Sequence, residues 1–459
     1  MVAKKFKLLS AFAAVALIVG ACGNSGDDVG STETTAGGET TTTAGGSGGD
    51  RDTFVSLTGV PGVSDTEIVA KAIGVLSSNP LGTNILNAYA DGVKAYFEWR
   101  NDEGGIYGRK LVLDEVIDDA LAKNKDKATE VCAGGKTFAT FVAPLLFSGA
   151  TTLQECGMPT FSWGIHREPA DNDYIFPSAA VTCQDCTSPI NPWIASKLGV
   201  TKVASIGYGV SENSKVCAQL GKKSFEKYTP DIEVAYFDDT LAFGLPTGIA
   251  PQVSKMKEAG VELITTCIDL NGMKKLGEEL QKQGMDDVIM VHPNTYNQDF
   301  IKANAAIFEG DLVGVSFVPF EAKIESETQA KFLEYTEKLG LKSEELTMVG
   351  WINADTFFTG LLAAGPEFSQ VGVKDALRAI TDYSAGGLIV PINLSTQWKL
   401  PTAADPTTHG YKQTCTNTVQ IVGGVFEQWS GEAGKPFNCW PNPTDALEDP
   451  VATSFSDAG

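Results

Sequence analysis

The chain has 459 residues and carries 35 basic against 57 acidic residues, for a net charge of −22. This acidity argues against a nucleic-acid-binding protein, because the phosphates of a nucleic acid need a basic face. Hydrophobic residues make up 43% of the chain, which fits a globular protein with enough core for two or three domains.

The chain begins with the pattern of an export signal. Lysines near the start precede an apolar run over 8–20 that is too short to span a bilayer as a stable helix. Val19-Gly20-Ala21-Cys22 resembles the processing site of bacterial lipoproteins. We predict a lipoprotein signal peptide over 1–21 and an anchor to the cell membrane through a lipid on Cys22. The alternative is an ordinary signal peptide with an incidental cysteine.

Residues 22–53 are rich in Gly, Ser and Thr and have no apolar periodicity. Such a segment cannot bury a core, so we predict a flexible linker. A coil of this length reaches roughly 30 Å, which suits a tether between a membrane and an extracytoplasmic body.

A βαβ unit follows the linker. Residues 67–76 are apolar and β-leaning, and a helix with an apolar stripe comes next. The stripe consists of Ile85, Tyr89, Val93, Tyr96 and Phe97. The helix stops at Gly104-Gly105, and a second strand ends in Asp118-Asp119.

Strands and helices then alternate, which predicts two open parallel sheets covered by helices. The predicted strands lie at 138–142, 159–163, 203–209, 233–237, 262–268, 287–293 and 312–320. The predicted helices lie at 126–131, 148–154, 212–227, 250–258, 273–283, 298–306, 328–339, 354–364 and 373–380. The tail from Leu388 is expected to form short strands and loops.

The first unit resembles that of a known family. Tyr89-Ala90-Asp91-Gly92, Gly104-Gly105-Ile106, Gly108-Arg109-Lys110 and the final Asp118-Asp119 are similar to the type 1 periplasmic binding proteins. The resemblance is to the branched-chain amino acid (Leu/Ile/Val) group, which feeds ABC transporters. It implies an α/β fold of two Rossmann-like lobes, joined by a three-strand hinge, with a ligand cleft between the lobes.

The resemblance also implies that the chain crosses between the lobes three times. The expected first lobe is 54–183 plus 321–385, and the expected second lobe is 184–320 plus 386–459.

Nine cysteines fit an oxidising compartment, and eight remain after Cys22 is set aside. One of the expected disulfides is similar to a bond in this family. The expected pairs are Cys132–Cys156, Cys217–Cys267 and Cys415–Cys439. Cys183 and Cys186 remain as a local pair that forms either one disulfide or two separate bonds.

Motifs of other protein classes are incomplete. Gly134–Thr137 contains the end of a phosphate loop, but Glu130 replaces its first glycine and the segment leaves a helix. Gly207–Glu212 resembles a dinucleotide fingerprint whose third glycine is replaced by a glutamate. No GxSxG elbow occurs, and the three histidines are far apart. We therefore predict no cofactor, no metal and no enzymatic activity.

Ligands of open α/β sheets bind beyond the carboxyl ends of the strands. In the resembled family, hydroxyl and main-chain N–H groups of first-lobe loops hold the ligand carboxylate. The ligand-binding candidates are Ser77, Ser78, Phe147, Ser148, Trp163, Gly164 and His166 in the first lobe, and Tyr208, Asp269, Asn294 and Tyr296 in the second. For each single residue, a helix cap or an ordinary polar loop residue is the alternative.

The second-lobe loop departs from the family pattern. Amino-acid binders place an acid in the loop that we match to His292-Pro293-Asn294, where this chain has a neutral amide. Asp269 either replaces that acid, faces solvent or caps the helix beginning at Asn271. Without an acid, an amide, a short carboxylate or another neutral polar solute is favoured over a zwitterion, with Trp163 and Tyr296 beside its apolar portion.

The predicted function is that of an extracytoplasmic, lipid-anchored, monomeric binding protein. It captures a small polar solute, either amino-acid-like, an amide or a short carboxylate, by lobe closure, and serves the permease of an ABC importer. Alternatives are a ligand-sensing receptor of the same fold, which needs a signalling partner, and an extracytoplasmic α/β enzyme, which needs a nucleophile–base pair or metal cluster.

Overall fold

The computed structural model describes residues 51–79, 81, 83–163, 172–178, 186–293, 295–322, 324, 326–397, 414–440 and 446–455. The predicted signal peptide, Cys22 and the linker up to residue 50 lie outside these ranges. Within them, none of the helices combines the length and the apolar character that crossing a membrane requires.

The described chain alternates strands and helices, as the sequence predicts. The strands are β1 Glu67–Gly74, β2 Lys110–Asp118, β3 Ala139–Ala143, β4 Thr160–Ser162, β5 Ile175–Pro177, β6 Lys202–Tyr208, β7 Glu233–Leu241, β8 Leu263–Cys267, β9 Ile289–His292, β10 Leu312–Val315, β11 Thr414–Val422, β12 Val425–Gln428, β13 Phe437–Trp440 and β14 Val451–Thr453. The helices are α1 Leu86–Asp102, α2 Asn124–Gly134, α3 Ala150–Glu155, α4 Ile190–Leu198, α5 Glu212–Tyr228, α6 Ala250–Ala259, α7 Leu270–Lys282, α8 Gln298–Ala303, α9 Ala305–Phe308, α10 Glu327–Lys338, α11 Glu345–Ala364 and α12 Gln370–Ala379.

Two sheets form two lobes, so the predicted fold class is confirmed. The first sheet is parallel with the order β2-β1-β3-β4-β5. The second has the order β14-β13-β11-β10-β9-β8-β6-β7, and β12 pairs with β11. Its strands β6 to β10 are parallel, whereas β11 to β14 add an antiparallel extension.

Helix α1 buries its apolar stripe in the first lobe against α11. The two backbones approach closely at glycines: a Cβ on Gly92 would lie 1.8 Å from the Thr347 carbonyl oxygen, and one on Gly350 would lie 2.0 Å from the Tyr89 carbonyl oxygen. A side chain at either position would force the helices apart.

Two of the three segments that cross between the lobes lie within the described residues. Phe317 and Ile389 form an antiparallel bridge, and the Val318 N–H donates to the Leu388 carbonyl over 2.8 Å. The remaining expected crossing, near Cys183, falls outside the described residues.

The chain after the hinge remains attached to the first lobe further than expected. Arg378 donates to the Leu394 carbonyl over 2.8 Å, and Gln397 donates to the Pro177 carbonyl over 2.7 Å. Residues up to 397, expected in the second lobe from 386 onward, therefore hydrogen-bond to elements of the first lobe.

The three expected disulfides are present: Cys132–Cys156, Cys217–Cys267 and Cys415–Cys439. They join α2 to the end of α3, α5 to β8, and β11 to β13. Cys186 is also disulfide-bonded, and Cys183 lies outside the described residues.

Candidate functional site

A cavity of about 730 Å³ lies between the lobes. Segments that follow strands β1, β3 and β4 line it from the first lobe, and segments that follow β6, β8 and β9 line it from the second. The cavity therefore occupies the place where parallel sheets bind ligands, beyond the carboxyl ends of their strands. Its volume is within the range of about 300–1,000 Å³ that is typical of small-molecule sites.

Asp269 is the central carboxylate of the second-lobe wall. It caps helix α7 by accepting a hydrogen bond from the Asn271 N–H over 3.0 Å, and the Tyr208 hydroxyl donates to its other side. The Tyr208 ring meets Phe243 edge to face, with 5.2 Å between ring centroids. Burial raises the pKa of Asp269, and the Tyr208 hydrogen bond opposes that rise only in part.

The same wall is fixed by hydrogen bonds and a disulfide. The Tyr208 N–H donates to the Ser214 hydroxyl over 2.6 Å, and that hydroxyl donates to the Cys267 carbonyl. Cys217 and Cys267 both line the cavity, and their disulfide ties α5 to the end of β8. The position of Tyr208 relative to Asp269 is therefore set by covalent and hydrogen-bonded contacts.

Two consecutive glutamates at the start of α11 meet the second lobe. The side-chain amide of Asn297 donates to Glu344, and the Glu345 N–H donates to the Tyr296 carbonyl over 3.1 Å. The Tyr296 N–H in turn lies 3.4 Å from the Glu345 carboxylate. Burial raises the pKa of Glu345 to about 8.

Other contacts cross the cleft as well. Lys342 forms an ion pair with Asp299 over 2.8 Å, and the Asn271 side chain donates to the Leu81 carbonyl. Because these contacts join the two lobes around the cavity, the structure represents a closed arrangement.

Tyr296 connects the cavity to the hinge. Its hydroxyl donates to the Glu321 carboxylate over 2.5 Å and accepts from the Phe320 N–H over 2.7 Å. Residues 320–321 follow the segment that crosses from β10 to the first lobe. A solute that contacts the Tyr296 ring would thus contact a side chain bonded to the hinge.

The structure brings together part of the predicted ligand set. Trp163, Tyr208, Asp269 and Tyr296 all line the cavity. Asp269 also caps helix α7, as one of the alternatives predicted, so the same side chain lines the cavity and caps a helix. Gly164, His166 and Asn294 lie outside the described residues.

The other candidates lie away from the cavity lining. Ser77 donates its N–H and its hydroxyl to Asp118, and Ser78 is exposed. Burial acts against the ionised Asp118, but hydrogen bonds from Ser77 and neighbouring N–H groups lower its pKa to about 2. These serines therefore belong to a turn organised by Asp118.

The loop after β3 also differs from its prediction. Phe147 is buried in the cluster that contains Val142, on the side of the sheet covered by α2 and α3, and Ser148 is exposed. The main-chain N–H of Gly149, which follows Ser148, donates to the Asn124 side chain over 2.9 Å. Pro144 and Leu145 are the residues of this loop that face the cavity.

Several lining residues were not predicted. Glu344 and Glu345 come from a third segment of the chain, far in sequence from the strand ends that guided the prediction. Their signal was a pair of acids directly before a long apolar helix. Asn297 also lines the cavity and caps α8 by accepting a hydrogen bond from the Phe300 N–H. In the sequence, an asparagine at this position indicates only a helix cap.

Within the described ranges, no group of three or more His, Cys, Asp or Glu side chains is arranged to hold a metal ion. The lining instead combines aromatic and aliphatic side chains with a few convergent polar groups, which is the composition of an organic small-molecule site.

Three similar solved structures are named as substrate- or solute-binding proteins of transporters. The fatty acid ABC transporter substrate-binding protein of Thermomonospora curvata is 16% identical, with a TM-score of 0.61 and coverage of 87% of this chain and 95% of that one. The branched-chain amino acid transporter substrate-binding protein of Streptococcus pneumoniae, in complex with isoleucine, is 16% identical, with a TM-score of 0.63 and coverage of 79% and 98%. An ABC transporter solute-binding protein of R. palustris, in complex with benzoate, is 16% identical, with a TM-score of 0.59 and coverage of 79% and 94%.

No curated protein matches the chain significantly. The family model described as "Periplasmic binding protein" matches residues 73–409, which is more than half of the chain and includes both lobes. Together with the two parallel sheets and the cavity between them, this match shows that the chain belongs to the periplasmic binding protein family.

Proposed function

We propose that the chain is the lipid-anchored, extracytoplasmic solute-binding protein of an ABC importer. It captures a small polar solute between its lobes and delivers it to the permease. The observation that carries this proposal is the cavity enclosed by both lobes, with polar groups from each wall. Its described walls carry four carboxyl side chains, at Asp269, Asp299, Glu344 and Glu345, among apolar and neutral polar groups.

Lobe closure is the event that commits the solute. In an open form, the contacts of Asn297 with Glu344 and of Lys342 with Asp299 would be broken, and water would enter the cleft. Closure around a solute restores them and presents one joined surface to the permease.

The sequence expectation of a neutral amide or a short carboxylate depends on Asn294. That residue is outside the described ranges, so we infer the ligand class from the residues of the described cavity walls. Isoleucine, a fatty acid and benzoate are named for the similar structures, which establishes only that this fold accepts diverse solutes.

A thermal-unfolding screen against amino acids, amides, carboxylates and amines tests capture by this cavity. A bound solute raises the unfolding temperature in a concentration-dependent way. At one hundred times its Kd, the solute adds about 2.7 kcal/mol to the free energy of unfolding. Trp163→Ala should weaken solute binding at least ten-fold, because the variant lacks an aromatic side chain of the cavity wall, and the rise in unfolding temperature should shrink accordingly. Ser148→Ala, an exposed change outside the lining, is the control and should not alter it.

The anchor is tested separately. Mature protein should begin at Cys22 and partition into detergent, and Cys22→Ala should move it to the soluble or unprocessed fraction. An unmodified N-terminus elsewhere in native protein would refute the anchor without affecting solute capture.

A further inference from the structure

We infer that the solute is an amine with an apolar body and no carboxylate, held with its ammonium at Asp269 and Tyr208. This inference depends on the proposed function, and it narrows the solute class. The sequence expectation of an amide or a carboxylate depended on a neutral amide, Asn294, in place of an acid. The inference departs from it because the described lining contains four carboxyl groups.

The charge of the lining favours a cation. Four carboxyl side chains line the cavity: Asp269, Asp299, Glu344 and Glu345. Lys342 is the one basic side chain in the described lining, and it is paired with Asp299 over 2.8 Å. An anionic solute would further disfavour ionisation of these carboxyl groups, whereas an ammonium would stabilise their ionised forms.

Asp269 is the carboxylate best placed to receive that ammonium. It is half-buried, and its described partners, the Tyr208 hydroxyl and the Asn271 N–H, are neutral donors. A buried carboxylate is stabilised by a counter-charge, and each of its oxygens accepts more than one hydrogen bond. The raised pKa of Asp269 is the expected state of this group before a cation arrives.

The first-lobe loops that follow strands line the cavity with two neutral polar side chains, Thr83 and Asn84, and with no basic side chain within the described residues. The Ser77 N–H and hydroxyl are used by Asp118, and the Gly149 N–H is used by Asn124. Ser148 is exposed and is not among the lining residues. The carboxylate of an α-amino acid would therefore meet neutral donors and no described unpaired cation, which favours an amine without a carboxylate.

The remaining wall fits an apolar body. Its apolar members are Leu81, Ile85, Leu145, Trp163, Phe243, Ile268, Leu270, Phe300 and Leu346. Phe243 and Tyr208 lie edge to face beside Asp269, so a cation there also meets aromatic rings. A cavity of about 730 Å³ leaves room for an aryl or alkyl group beyond the ammonium.

Matched compounds test the charge of the solute. Benzyl, phenylethyl, indolylethyl and hexyl groups are each tested as the primary amine, the alcohol, the carboxylate and the α-amino acid, by thermal shift and calorimetry. At least one amine should bind ten-fold or more tightly than its alcohol, carboxylate and amino-acid counterparts. Tighter binding of a carboxylate or amino acid, or no binding by any amine, overturns the inference.

A charge-neutralising pair of variants locates the ammonium. Asp269→Asn should weaken the preferred amine at least ten-fold and leave its alcohol counterpart within two-fold. Asp238→Asn is the matched control: Asp238 is also a second-lobe carboxylate bonded to a tyrosine, Tyr236, at 3.2 Å, but it lies outside the lining. Equal losses in both variants, or no loss in Asp269→Asn, contradict the assignment.

Failure of this inference is distinct from failure of the proposed function. Binding of a neutral, anionic or zwitterionic solute that is lost in Trp163→Ala overturns the charge assignment and leaves solute capture intact. Absence of binding by the panel and by a fractionated extract of growth medium contradicts both.

Discussion

At the scale of single residues, several carboxyl side chains in and beside the cavity are partly or fully buried. Burial raises the pKa values of Asp269, Glu321, Glu344 and Glu345. A carboxyl whose pKa is raised on folding contributes stability that is present below its unfolded pKa and is lost as the pH rises through its folded pKa.

Glu345 gives the clearest pH prediction. Its pKa rises from 4.5 to about 8, so its stabilising contribution is full below pH 4.5 and disappears as the pH approaches 8. Each pKa unit corresponds to about 1.4 kcal/mol of stability. Because the Glu345 side chain also borders the cavity, we expect the free energy of unfolding to fall by about 2 kcal/mol, which is less than the full shift would give. Urea unfolding at pH 5, 6.5 and 8 measures it.

Glu345→Gln is the corresponding variant, because glutamine does not titrate. Its free energy of unfolding should change less between pH 5 and pH 8 than that of the wild type. Glu344, Lys342 and Asp299 remain as charged neighbours in both proteins, so their contributions cancel. Parallel pH profiles for the two proteins would show that Glu345 is not the titrating group.

The candidates that directly follow strands lie in the cavity lining, whereas the candidates whose orientation depends on the phase of a loop lie outside it. Trp163, Tyr208 and Asp269 follow or end strands, so their position at the sheet edge was determined by the fold. Phe147 and Ser148 lie four and five residues beyond β3, where a turn of the loop decides which side chains face the cavity. No periodic signal in the sequence specifies that turn.

At the scale of elements, the α1–α11 pair holds the first lobe together. Sequence periodicity found α1 because it has one apolar stripe. It predicted α11 only from residue 354, although the helix begins at Glu345. Helix α11 is buried on nearly all sides, so its apolar residues have no helical period to detect.

Gly92→Ala tests the close approach of these helices. The added Cβ would overlap the Thr347 carbonyl oxygen at 1.8 Å, so the backbones must separate, at a cost of at least about 2 kcal/mol. Gly134→Ala is the control, since that helical glycine has open space around it and alanine there should be neutral or stabilising by about 0.5 kcal/mol. Equal unfolding free energies for the two variants would contradict the packing.

Of the three disulfides with both cysteines among the described residues, one lines the cavity and two do not. Replacing either Cys217–Cys267 or Cys132–Cys156 by serine pairs should cost about 3–4 kcal/mol of stability. Only loss of Cys217–Cys267 should also weaken solute binding, because it releases α5 and Ser214 from β8. Calorimetry at a temperature where both variants are folded measures this, and equal effects on affinity would refute the positioning role.

At the scale of the whole molecule, the lobes meet through side chains that also line the cavity. Binding and closure are therefore coupled by the same groups, including Tyr296, whose hydroxyl bonds to Glu321 beside the hinge. The two-lobed fold was predictable because one βαβ unit with its turn glycines resembles the family closely. Short strands were expected in the tail, but the antiparallel pairing of β11–β14 onto the second sheet was not predicted, because short strands in a segment rich in Pro, Thr and Gly carry little periodicity.

The central claim is that the cavity between the lobes captures a solute. The most direct measurement is mass spectrometry of the small molecules released by denaturing protein that was purified from its own cells under native conditions. We expect one compound at near-equimolar amount from the wild type and from Ser148→Ala, and a strongly reduced amount from Trp163→Ala. No released compound from the wild type, or equal amounts from the wild type and Trp163→Ala, would contradict capture in this cavity.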